Sequence, residues 1–176
     1  MSAIIRLYWQ IFRLQLGPDA VPASRSLLFV TALVYSLLNL GVWVWIEPGG
    51  LMQASISLAL VTGGWLLALW GIMLLMGKVA RYQQTLTALL GVNVILVLMS
   101  VPLHFFAGGA LVDGGADEAM NGSALTPVFR LLLLGLFVWG IFIEGFIYHR
   151  ALDISPLQGN LLALAMSMGI IALLGM

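Results

Sequence analysis

Cysteine is absent from this 176-residue chain, and charge is scarce: seven Lys and Arg offset seven Asp and Glu, and there are two histidines. Without a thiol, disulfides, Cys-ligated zinc, iron–sulfur clusters and thiol nucleophiles are excluded. A neutral balance offers no basic field, so no nucleic-acid partner is expected. The sequence also contains no H-E-x-x-H metal set, no G-x-S-x-G elbow and no G-x-x-x-x-G-K-[ST] phosphate loop. These gaps lead to the expectation of a chain that is not an enzyme and holds no cofactor or metal.

What fills the space is apolar. Hydrophobic residues make up 62% and charged residues 8%, with a mean hydropathy of +1.10. A domain of this size buries only part of its surface, so that much apolar area needs lipid around it. The expected class is an all-α, polytopic membrane helix bundle. Five runs have membrane length: Leu27–Ile46, Gln53–Met76, Gln84–Phe106, Val128–Tyr148 and Leu157–Gly175. Only Arg130 and Glu144 among the charged residues fall inside them. No run holds an Asp, which removes an intramembrane aspartyl pair.

The ends carry helix punctuation. Ser155-Pro156-Leu157-Gln158 reads as Ser N-cap, Pro at the first helical position and Gln at the third. Thr126-Pro127 opens the fourth span in the same way, Glu47-Pro48-Gly49-Gly50 is a turn, and Pro102 predicts an early stop or a kink in the third. Arg6, Arg13 and Arg25 precede span one, Lys78 and Arg81 follow span two, and Arg150 follows span four. With five crossings, these stand on one side against Arg130 on the other. The positive-inside rule then places the N-terminus in the cytoplasm and the C-terminus outside, in a membrane expected to be a bacterial inner membrane. His104 and His149 fall at opposite faces, so one chain cannot clamp a haem between them. Span one follows 26 residues and lacks a small-residue cleavage site, so it is read as retained.

Residues 1–26 form a cytoplasmic lead and 27–176 the five-helix transmembrane domain. In the lead, Ser2, Arg6, Gln10 and Arg13 share one helical face, and Ile4, Ile5, Tyr8, Trp9, Ile11 and Phe12 cover the rest. This predicts an amphipathic interfacial helix with Arg6 and Arg13 on lipid headgroups; packing on the bundle is a compatible alternative. The outer loop, 107–127, is glycine-rich and carries Asp113, Asp117 and Glu118 without the spacing of a calcium loop. It is read as a solvated acidic loop, and Asn121-Gly122-Ser123 fits a glycosylation acceptor.

Lipid tails are as apolar as leucine, so helices in a membrane associate through small residues and polar contacts. Gly64, Ala68 and Gly71 in span two, and Gly159, Ala163 and Ser167 in span five, are the expected helix-packing faces, for neighbours, a partner protein or a second copy. Asn39 and Asn93 are expected to face the bundle and to reach one another, as interhelical glue or as part of a substrate site between spans one and three. Glu144 is the sharpest residue, because an acid in a membrane helix is a functional candidate by default. Counted from Tyr148 it lies roughly 6 Å deep. The favoured reading is an ion pair with Arg81; a proton or cation site and unpaired snorkelling are the others.

The five-span plan and amphipathic lead resemble the Yip1-domain proteins. Leu16-Gly17-Pro18 is similar to the end of that family's Asp-Leu-Tyr-Gly-Pro motif, with Leu14-Gln15-Leu16 in place of its acidic and tyrosine residues. Trp139 and the turn Tyr148-His149-Arg150-Ala151-Leu152 resemble the end of bacterial members. The resemblance implies a membrane scaffold rather than a reaction. The expected function is an accessory, assembly or membrane-organising scaffold. The alternative is a subunit of an oligomeric channel or small-solute or ion transporter using Glu144.

Overall fold

A computed structural model describes residues 2–46, 50–106 and 126–173. The expected turn at Glu47-Pro48-Gly49 and the acidic, glycine-rich loop from residue 107 to 125 lie outside the described residues. Every described element is helical: α1 (Ser2–Phe12), α2 (Arg25–Ile46), α3 (Gly50–Leu75), α4 (Tyr82–Phe106), α5 (Thr126–Leu152) and α6 (Pro156–Leu173), with 3-10 turns at Pro18–Ala20 and Val79–Arg81. Among the described residues, four helical stretches are long and apolar enough to cross a membrane: Arg25–Val44, Gly50–Leu75, Val79–His104 and Pro127–Leu152. The α6 helix is described over 18 residues.

Local chemistry sets the ends. Gly77, at φ +68°, closes α3, with the Lys78 N–H returning to the Met73 carbonyl at 2.8 Å. This is a left-handed cap that glycine adopts without steric cost. The cap of α6 is reciprocal: Ser155 Oγ accepts the Gln158 N–H at 3.2 Å, and Gln158 Oε1 accepts the Ser155 N–H at 2.9 Å. Pro102 lies inside α4, which continues to Phe106 rather than stopping at the proline.

The centre of the bundle is α4, which packs on α1, α2 and α5, while α6 lies against α5 and α3. Residues 85–92 of α4 are buried without a break. Thr85 and Thr87 in that stretch satisfy their hydroxyls on the carbonyls of Arg81 (2.9 Å) and Gln83 (2.7 Å). Helices α4 and α5 run antiparallel in steady register. Asn93 meets Glu144, Leu96 fills the space over Gly140, and Phe106 stacks on Phe129 with centroids 5.2 Å apart.

Glycines at intervals of five turn about the helix axis, so the three in α5 look three ways. Gly135 faces open space, Gly140 faces Leu96, and Gly145 faces Asn160 of α6. On α6, Gly159 and Ala163 are buried against the bundle, and Ser167 is half-buried. The α3 face is different. Gly64 and Ala68 are exposed, a side chain at Gly71 would meet nothing, and α3 packs through Ala54, Trp65, Leu69 and Met73 instead.

The lead helix α1 seats one side on the bundle. Ile11 and Phe12 are buried, and the Tyr8 ring lies over Gly91 with its hydroxyl 2.9 Å from Thr31 Oγ1. Burial pushes the Tyr8 phenol upward, and the Thr31 bond offsets part of that. The opposite side, with Ile4, Ile5, Arg6, Trp9 and Arg13, is exposed.

Candidate functional site

Two polar constellations stand out, and they divide residues that the sequence groups together. The first is a clasp between turns. Asp153 follows α5 in a left-handed conformation, φ +57°. Its carboxylate takes Lys78 Nζ at 2.5 Å, and Arg81 at 3.1 Å through both oxygens. Arg81 also donates to the carbonyl of Ala151 at 3.4 Å, one of those a helix end leaves open. Arg81 is therefore committed to Asp153, and the expected Glu144–Arg81 pair does not form. The reason is length. The α5 helix runs on through His149 and Arg150 to Leu152, so Glu144 lies about 12 Å from its end, twice the expected depth. Opposite charges in turns on the same side of the bundle were the signal for the clasp.

The Lys78 and Arg81 bonds hold the Asp153 carboxyl below its ordinary range. A depressed carboxylate stabilises the fold above its unfolded value, near 3.9, and that contribution fades as pH falls through the folded value. Asp153→Asn should therefore melt below wild type in mild detergent at pH 7. The gap should narrow steadily as pH falls through the acid range. A gap independent of pH would contradict this.

The second constellation surrounds Glu144. Asn93 Nδ2 donates to Glu144 Oε1 at 3.3 Å and to its own helix at the Leu89 carbonyl, 3.1 Å away. Tyr35 of α2 and Tyr148 of α5 lie in the same region as Glu144. Two buried hydroxyls here, Thr62 Oγ1 near Tyr35 and Tyr148 Oη near Trp65, come near these side chains without closing hydrogen-bond geometry. Four helices thus bring polar groups to one region of an apolar bundle. Asn39 is not among them: its Nδ2 donates to the Tyr35 carbonyl at 2.9 Å, and Asn93 bonds elsewhere, so the expected Asn39–Asn93 contact is not made.

Glu144 and Asn93 open onto a groove of about 500 Å³ between α4 and α5, edged by Ser167 of α6. The groove runs past Leu96, Phe137 and Gly140 to His104 and Arg130 at the other end. On the opposite side of Glu144 the interior is closed. Leu89, Ile143, Ile147 and Tyr148 are 0% exposed. Such a site can hold a proton on a carboxyl and orient it through an amide, but it ends in packed side chains. Among the described residues no three His, Asp or Glu are placed to hold a metal. His104 sits near the end of α4 and His149 near the far end of α5, where its Nδ1–H donates to the Ile154 carbonyl.

Comparison with known proteins adds one likeness. No protein-family profile matches the chain, and no solved structure matches it. The DNA translocase FtsK of Corynebacterium glutamicum is 31% identical over 128 residues, a stretch that takes in 62% of this chain and 14% of the translocase. What this chain shares with that protein is thus a small part of the latter's length, and its apolar helices mark it as a membrane protein.

Proposed function

We propose that the chain is a non-catalytic membrane module with an accessory, assembly or organising role, carried by the dry seal beside Glu144. A conduit needs a polar route from face to face. Here the groove stops at Glu144, and Leu89, Ile147 and Leu152, further along α4 and α5, close the remaining path at 0 to 1% exposure. In this reading α6 is a fifth crossing, the N-terminus is cytoplasmic, the C-terminus is outside, and the membrane is a bacterial inner membrane. The exposed Arg6 and Arg13, with Ile4, Ile5 and Trp9 beside them, give α1 a surface for lipid headgroups. Gly64, Ala68 and Gly71 leave α3 an open small-residue face for a partner protein or a second copy.

The resemblance to Yip1-domain proteins points to the same scaffold role. The likeness to FtsK is in keeping with a membrane module that serves a larger machine. Translocation itself is not carried over, because this chain has no phosphate-binding loop. The second reading, an oligomeric channel or transporter subunit, has one observation in its favour: the groove reaches Glu144.

Flux through proteoliposomes separates the two. Purified protein should carry protons and monovalent ions no faster than empty liposomes. Glu144→Gln should change neither flux nor folded yield, because the glutamine oxygen can accept the same Asn93 bond. A photocrosslinker at Ala68 should give a discrete adduct, and one at the exposed Ala59, on another side of α3, should not. Flux that depends on Glu144 would overturn the reading.

A further inference from the structure

The groove has a second end that the scaffold reading does not use. Arg130 lies about 6 Å along α5 from its first residue, at the depth of lipid headgroups. Its Nε is buried and has no hydrogen-bond partner, and both ion pairs among the described residues belong to Asp153. His104 stands on the same groove, its Nδ1–H committed to the Ser100 carbonyl at 2.9 Å, which leaves Nε2 as the ring's remaining polar atom. Between this mouth and Gly140 the wall is Leu133, Leu134, Phe137 and Leu96. From Arg130 to Gly140 the groove is about 15 Å long, which is one leaflet of a hydrocarbon core about 30 Å thick. A cation at headgroup depth above an apolar channel one leaflet long complements one kind of molecule in its surroundings.

We propose that the α4–α5 groove holds an anionic phospholipid, with its phosphate on Arg130 and His104 and one tail laid along Leu133, Phe137 and Gly140. A guanidinium meets a phosphate through paired, charge-assisted bonds, which separates an anionic headgroup from a zwitterionic one whose own cation competes. The Glu144–Asn93 contact lies beyond the tail's end and takes no part in headgroup choice. This inference holds whether or not the scaffold reading does.

The test is native mass spectrometry of the full chain released from detergent, with phosphatidylglycerol or phosphatidylcholine of identical tails. Wild type should retain phosphatidylglycerol about tenfold more tightly, the ratio expected for one charge-assisted contact. Arg130→Gln should bring it to the phosphatidylcholine level, and Arg130→Lys should keep part of the preference. Leu134→Trp, which fills the groove from an exposed wall position, should weaken both lipids, whereas Leu131→Trp, also exposed but off the groove, should weaken neither. Millimolar glycerol phosphate should not displace the lipid. Should Arg130→Gln fail to fold, the tryptophan pair still decides. The proposal is overturned by equal retention of the two lipids, by a preference that survives Arg130→Gln, by displacement with glycerol phosphate, or by tryptophans at 131 and 134 acting alike.

Discussion

Gly159→Ala should lower the unfolding midpoint in mild detergent by roughly 5–10 °C, the shift expected of about 3 kcal/mol in a chain of this size. The seam between α5 and α6 leaves no room for a methyl group. A Cβ at Gly159 would run into the Gly145 carbonyl oxygen and come to 3.0 Å from the backbone nitrogen and Cβ of His149. Backbone atoms cannot swing aside as a side-chain tip does, so the two helices must separate. Gly145 faces the same restriction from the other side, where a Cβ would lie 2.8 Å from the Asn160 Cα. Separation would also disturb Ala163, one turn further along and fully buried. Gly135→Ala on the lipid side of α5 is the control. A Cβ there meets nothing, and alanine in an exposed helix is favoured over glycine by about 0.5–1 kcal/mol, so the midpoint should hold or rise slightly. Equal effects at 135 and 159 would mean that helix propensity, not the seam, governs stability.

These two glycines mark what can be read from sequence and what cannot. Hydrophobic length and capping residues are local signals, and the helices follow them: the apolar runs reaching Ile46 and Phe106 are helical throughout, and the Ser155–Gln158 cap closes as its spacing requires. The buried Gly159 and Ala163 lie where the small-residue pattern of α6 places them. The same pattern in α3 points outward, although its spacing is as regular. Lipid and bundle interior are equally apolar, so a stripe of small residues records a close approach without saying by what. Trp65, Leu69 and Met73 form the packed side instead, and no hydropathy contrast distinguishes them from Leu67 or Trp70, which are exposed.

The site was legible by residue and not by partner. Glu144 stands out from composition alone, but its neighbour depends on depth, and depth depends on where α5 ends. An uncharged run stops at Tyr148; the helix carries on through His149 and Arg150 to Leu152. Moving the helix end by four residues takes Glu144 out of reach of Arg81 and opposite Asn93. The same shift frees Arg81 for Asp153. The α4–α5 groove, with Arg130 and His104 at its mouth, needs the antiparallel register of two helices and leaves no trace in either one alone.

Gly91→Ala should release α1. The Tyr8 ring occupies the space a Cβ at position 91 would take, with three ring carbons inside any tolerable contact. The ring is fixed at its far end by the bond to Thr31, so it cannot slide away without losing that bond. The lead helix then keeps Ile11, Phe12, with its T-shaped contact to Trp139 at 6.3 Å, and the half-buried Leu7 to hold it. A cysteine at position 11 reads the outcome without background, since the chain has no other thiol and Ile11 is 0% exposed. In the Gly91→Ala background its labelling rate should rise at least tenfold, which corresponds to about 1.4 kcal/mol of lost docking. Tyr8→Ala removes the ring that collides, so adding Gly91→Ala to it should cost little more; that non-additivity is the signature of direct contact. Additive losses would mean that Gly91 matters for some other reason.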